Sequence, residues 1–196
     1  SVTPGVPPFL KDSGQGWITA EYEMLPRSTH DRAERRRGKP PKGRTQEIER
    51  LIGRALRQAI DLRTIPGHTL FIDCDVIGAD GGTRTAAVTG GWVALAHALR
   101  HMVSSGSIAK LPEMKQIAAV SVGLIGGSAF VDLDYKEDSS ADVDLNVVMT
   151  GARDFIEVQG TGEKTGFARK QLDNLLDCAQ GAIEALFPKQ RDAAFK

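Results

Sequence analysis

Asp80-Gly81-Gly82-Thr83-Arg84-Thr85 is the run in this sequence best suited to hold an anion. It lies where a strand-like stretch, 69–77, gives way to a helix-like stretch that begins near Thr83. Paired glycines let backbone approach a ligand closely, and the free N–H groups of a helix start attract negative charge. Thr83 adds a hydroxyl, and Arg84 adds a planar fork of donors matched to phosphate oxygens. Gly43-Arg44-Thr45 repeats the arrangement at a second glycine-to-helix junction. Arg44 and Arg84 are therefore expected to converge on one phosphate. The ordinary alternative is a pair of glycine turns with threonine helix caps.

Two charged stretches stand beside these junctions. Residues 132–144 hold six carboxylates and one lysine. Carboxylates on a loop between strands suit a hard cation such as Mg²⁺, which takes only one or two of them and keeps waters or substrate phosphates. The central glycine and terminal glutamate of an EF-hand loop are missing. Residues 27–44 form the opposite pole, with eight Lys and Arg against two acids. Around Arg32, Arg35, Arg36 and Arg37 this stretch suits nucleic acid, because arginine pairs with phosphates and stacks on bases. A solvated charge run and an acidic surface turn are the plain alternatives. Net charge is zero, so the separation of the poles carries the information, not the total.

The elements that must position these groups follow from periodicity. Residues 1–16 read as loop, 17–25 as a strand ended by Pro26, and 27–43 as a long basic loop. Residues 45–62 read as a helix capped by Thr45, with Ile48, Leu51, Ile52, Ala55, Leu56 and Ala59 on one face. Residues 83–104 are apolar on several sides and read as a buried helix, whose Gly90-Gly91 pair allows close packing. Residues 116–125 and 129–135 form a predicted hairpin around Gly126-Gly127-Ser128. Residues 137–143 read as an acidic loop, 145–150 and 155–159 as strands, and 167–187 as the last helix. The pattern implies an α+β fold, a mixed sheet layered with helices, in one domain spanning 1–196.

Several classes are excluded. No glycine loop ends in the Gly-Lys-Ser/Thr of a P-loop. Cys74 and Cys178 lack metal spacing and read as reduced core residues. No histidine sits in a recognisable catalytic motif. No apolar run approaches the ~20 residues of a membrane span and no signal peptide is visible, so a cytoplasmic location is expected.

Taken together, these segments resemble ribonuclease PH. The resemblance is carried by Gly14-Gln15-Gly16-Trp17, Gly43-Arg44-Thr45-Gln46-Glu47-Ile48, Asp73-Cys74-Asp75-Val76, the run from Asp80 to Ala86, Asp142-Val143-Asp144-Leu145-Asn146-Val147 and Val158-Gln159-Gly160-Thr161. It implies a ribosomal-protein-like βαβ fold, from which this sequence lacks the family's N-terminal section with its initial strands. It implies a phosphate-dependent 3′→5′ exoribonuclease, a tRNA nucleotidyltransferase that trims tRNA precursors and works reversibly, assembled as a homohexameric ring. The family's phosphate-binding positions fall on Arg44, Gly82, Thr83 and Arg84. Its catalytic, metal-linked acids fall on Asp138 and Asp144, with Mg²⁺ as cofactor and inorganic phosphate as co-substrate. Its RNA-contacting loop falls on Arg32, Arg35, Arg36 and Arg37. The sequence departs from the family at Pro8, where arginine is usual, and at Pro40-Pro41 near the end of the basic loop. The alternative from another class is a non-catalytic, RNA-binding ring subunit of an exosome-like assembly.

Overall fold

The computed structural model describes residues 1–35, 38 and 40–195, so Arg36 and Arg37 of the basic loop lie outside the described residues. Two sheets sandwich a helix. The first sheet has the order β1-β3-β2, with β1 (Val2–Pro4), β2 (Trp17–Met24) and β3 (His68–Val76). β2 runs parallel to β3 and β1 antiparallel to it, so this sheet is mixed. The connection from β2 to β3 carries α1 (Gly43–Arg57). The second sheet, β5-β4-β6-β7, is antiparallel throughout and uses β4 (Ile117–Ile125), β5 (Ser128–Val131), β6 (Val143–Thr150) and β7 (Phe155–Gly162). Helix α2 (Thr83–Ser104) separates the sheets, α3 (Tyr135–Ser140) joins β5 to β6, and α4 (Arg169–Phe195) closes the chain.

The α+β class is borne out, with the expected single sheet divided in two. The cause is α2. Its alanine-rich surface is apolar on more than one side, so it packs on Ile72 and α1 with one face and on Ile117, Ala119 and Val148 with another. Val88, Trp92, Leu95, Ala96 and Leu99 are fully buried in this core, and each large side chain among them contributes about 1.5–3 kcal/mol. A second core lies on the far face of the antiparallel sheet, where Val120, Val122, Leu145 and Val147 meet Leu175, Ala179 and Ile183 of α4. β4 is thus buried on both faces, which explains its unbroken apolar run.

β5 pairs only with Val122–Ile125, leaving the first half of β4 with an open edge. Helix side chains take the place of a strand there. The Thr89 hydroxyl donates to Ala119 O and accepts from Ala119 N, at 3.2 and 3.0 Å. Gln190 Nε2 donates to Ile117 O at 2.8 Å and to Thr89 O at 2.9 Å. Buried backbone groups that no strand reaches are satisfied in this way.

Other boundaries differ from expectation for local reasons. The N-terminal loop contains β1 and a 3-10 turn at Pro8–Leu10. α1 starts at Gly43 with no side-chain cap and stops at Arg57, before a short 3-10 turn at Leu62–Thr64. The predicted strand 129–135 ends at Val131, because Asp132 takes a positive φ of 58°. The expected acidic loop is helix α3, nucleated by a capping box: Asp134 accepts from Glu137 N, and Glu137 accepts from Asp134 N. α4 continues through Pro188, held past that point by Gln190.

The glycine pair of α2 splits into two cases. A Cβ on Gly91 would stand 3.0 Å from Leu56 Cδ1 and 3.3 Å from Ile72 Cγ2, whereas one on Gly90 would meet nothing within 4 Å. Gly91→Val is expected to destabilise the fold by about 1–3 kcal/mol through overpacking. Gly90→Ala is expected to stabilise it by roughly 0.5–1 kcal/mol through helix propensity. Chemical denaturation of both variants checks the contrast.

Candidate functional site

Along the face of the antiparallel sheet that meets α2, apolar residues give way to polar ones. Ile117, Ala119 and Val148 pack on the helix. Further along, Ser121 pairs across strands with Asn146, and Asn146 with Gln159. The next row is Gly123, Asp144 and Thr161. Side chains alternate along strands, so these rows share the face of Ile117 and Ala119. They floor a cleft beneath the first turns of α1 and α2. One cavity, of about 410 Å³, is lined by Arg44, Glu47, Arg84, Asp138, Asp144 and Gln159 among others. A second, of about 300 Å³, adds Asp80, Gly81, Gly82 and Thr83 while sharing Arg44, Arg84, Asp138, Asp144 and Asn146.

The cationic side comes from two helix starts. Arg44 is the second residue of α1 and Arg84 the second of α2, and both line both cavities. Neither helix has a side-chain cap or an acid in its first turn. Arginines at the positive end of a helix dipole are unfavourable alone and favourable around an anion. The glycine pair between β3 and α2 has two separate reasons. A Cβ on Gly81 would fall 1.8 Å from Leu133 O, and Gly82 sits in the left-handed region at φ 64°. The Thr83 hydroxyl lies 2.8 Å from the Tyr22 hydroxyl, which fixes it against β2.

The acidic stretch sorts by role. Asp134 and Glu137 cap α3. Asp142 accepts from Gly126 N at 3.0 Å and pairs with Lys164 at 3.4 Å. Asp138, on α3, and Asp144, on β6, face both cavities. Burial, and then the neighbouring Asp138 carboxylate, push the Asp144 carboxyl up to about 6 against the pull of Arg84. Asp138 and Asp144 are the two carboxylates common to both cavities that could hold a divalent cation, which would relieve the repulsion between them. Among the described residues there is no cluster of three or more metal-binding side chains.

Arg35 lines a neighbouring cavity of about 310 Å³ that also touches Arg44, so the basic loop opens onto the cleft. Arg32 is exposed. Sequence reasoning gave no role to Glu47, Gln159, Asn146 or Tyr22, although each lines or braces the cleft. The signal was available for Glu47, which lies three residues after Arg44 and so beside it on a helix. Cys74 and Cys178 are free thiols, and burial pushes Cys74 up to about 11, far from a reactive thiolate. No histidine lines either cavity among the described residues. No helix among them is long and apolar enough to cross a membrane.

Folded Asp144 stays protonated up to about pH 6, whereas its unfolded carboxyl ionises near 3.8. Stability is therefore lost as pH rises through that window. In metal-free protein, Asp144→Asn is expected to exceed the parent in stability at pH 7 by on the order of 1 kcal/mol, after allowing for solvent screening. The difference should vanish below about pH 3, where the unfolded carboxyl is protonated too. Denaturant titrations with a chelator at both pH values measure this, and a difference independent of pH would refute the assignment.

Comparison with known proteins fits this geometry. The fold superposes on rice (Oryza sativa) Rrp46 with a TM-score of 0.76 at 15% identity, covering 100% of this chain and 81% of that one. It superposes on a chain of an Archaeoglobus fulgidus exosome with RNA bound to the active site, at 0.75 and 20% identity, covering 96% and 76%. An archaeal exosome core gives 0.73 at 18% identity, covering 98% and 74%. At these identities the likeness is one of fold. Residues 1–100 match domain 1 of the 3′ exoribonuclease family and residues 115–182 match its domain 2. The chain belongs to the 3′ exoribonuclease family, as the resemblance to ribonuclease PH implies.

Proposed function

We propose that this protein is a phosphate-dependent 3′→5′ exoribonuclease that trims RNA 3′ ends, tRNA precursors among them, as a homohexameric ring. One observation carries the reading: Arg44 and Arg84, at two helix starts, line the same cavities as Asp138 and Asp144. An oxygen of inorganic phosphate forms a bond to the terminal phosphorus. The bond from that phosphorus to the 3′ oxygen of the preceding nucleotide breaks, and a nucleoside diphosphate leaves. Such a transfer needs positioning and charge neutralisation rather than a covalent intermediate. Arg44, Arg84 and the α2 N-terminus at Gly82 and Thr83 orient the attacking phosphate. Asp138 and Asp144 would hold Mg²⁺ or another divalent cation, which when bound neutralises charge at the scissile phosphate. Arg32 and Arg35, with Arg36 and Arg37, steer the RNA towards the cleft by its backbone.

A second reading has its own support. Two of the solved structures that share this fold are archaeal exosomes, one of them with RNA bound to the active site. The shared fold supports, as the alternative, an RNA-binding ring subunit of an exosome-like assembly without catalysis of its own. RNA with a free 3′ end, incubated with Mg²⁺ in the presence and absence of inorganic phosphate, separates the two. Nucleoside diphosphates released only with phosphate support the enzyme, and RNA binding without release supports the subunit.

Arg84→Ala is expected to abolish phosphate-dependent release while RNA binding changes little, and equal loss of both would remove its assigned role. Neutralising the four loop arginines is expected to weaken RNA binding and to flatten its salt dependence, by about 0.7 in log–log slope for each RNA phosphate that no longer meets an arginine. Binding titrations across a salt series test this.

A further inference from the structure

Arg84 meets three acceptors with a single nitrogen. Its Nη1 donates to both Glu47 oxygens, at 3.1 and 3.2 Å, and to Gln159 Oε1 at 2.9 Å. Gln159 Nε2 donates to Glu47 Oε1 at 3.2 Å and closes the triangle. The three residues come from α2, α1 and β7, so the grip spans both sides of the cleft. The Arg84 side chain is only 15% exposed. Among the described residues its hydrogen bonds all use this one nitrogen, while the fork has further donors on Nε and Nη2.

Glu47 is an awkward neighbour for an anion site. On charge alone, a carboxylate beside Arg84 weakens the pull on phosphate. Its geometry works the other way. Arginine has a long side chain with many rotamers, and gripping one nitrogen orders the rest of a planar group. We propose that Glu47 and Gln159 are positioning residues, an acceptor cradle that grips one nitrogen of Arg84 and turns the opposite edge of its guanidinium towards inorganic phosphate. This inference rests on the phosphorolytic reading above and adds what sets the phosphate affinity.

The test measures kcat and the phosphate KM at saturating RNA for the parent, Glu47→Ala, Glu47→Gln and Gln159→Ala, with inorganic phosphate binding followed by calorimetry. Glu47→Ala is expected to raise the phosphate KM about tenfold, with kcat within about twofold. Glu47→Gln keeps one acceptor and loses the charge, so its KM should stay near the parent's. If Glu47 acts only through its charge, both variants lower the KM, and the proposal falls. An unchanged KM in Glu47→Ala overturns it equally. Gln159→Ala, expected to raise the KM in the same direction, decides the matter if Glu47→Ala does not fold. A parent that binds phosphate but releases no nucleoside diphosphate overturns the phosphorolytic reading, while weaker binding by Glu47→Ala still supports the cradle. A parent that binds no phosphate overturns both.

Discussion

Helix α2 packs on the mixed sheet and α1 with one face and on the antiparallel sheet with another, and this double burial sets the cleft. A helix buried on one side can slide or roll against its support. Contacts with Leu56 and Ile72 at Gly91, and hydrogen bonds from Thr89 to the backbone of β4, remove that freedom. The first turn of α2 therefore arrives at a fixed height above the row of Ser121, Asn146 and Gln159. Arg54 of α1 adds a bidentate pair with Glu157 of β7, tying the same layers from the outside at 2.8 and 2.9 Å.

Within that frame the charges are only partly matched. Two helix starts bring two arginines, and two carboxylates face them, yet the pairing is incomplete. Arg84 is anchored by Glu47 and Gln159, not by the acids across the cleft. Asp144 is held beside Asp138, and burial together with that neighbour raises its carboxyl. The cavity thus holds side chains of both signs that are not fully paired with one another.

The parts of this arrangement legible in the sequence were those written in local order. The glycine-to-helix junctions, the length of α2 and the apolar face of α1 follow from periodicity and glycine chemistry, and the structure has them where expected. Arg44 and Arg84 could be named from the sequence because each sits at such a junction. Glu47 and Gln159 could not be paired with Arg84, since Gln159 lies 75 residues away and only strand register brings it near. The division into two sheets was hidden because α2's many-sided apolarity reads as burial without saying against what. Helix α3 was legible and read as a loop. Asp134 and Glu137 spell a capping box, but among so many acids their charge masks their spacing.

The contact between Gly81 and Leu133 joins the anion side of the cleft to the acidic side, and it is made by backbone alone. Asp80 reinforces it by accepting from Tyr135 N at 2.8 Å. The Gly81–Leu133 approach itself leaves no side chain between the two backbones to absorb or transmit a change. The separation of the arginine-bearing helix from the acid-bearing one is thus a property of the chain's path, not of its rotamers. Side chains around the cleft can be exchanged, and its chemistry retuned or silenced, while the gap between the two helices keeps the same width.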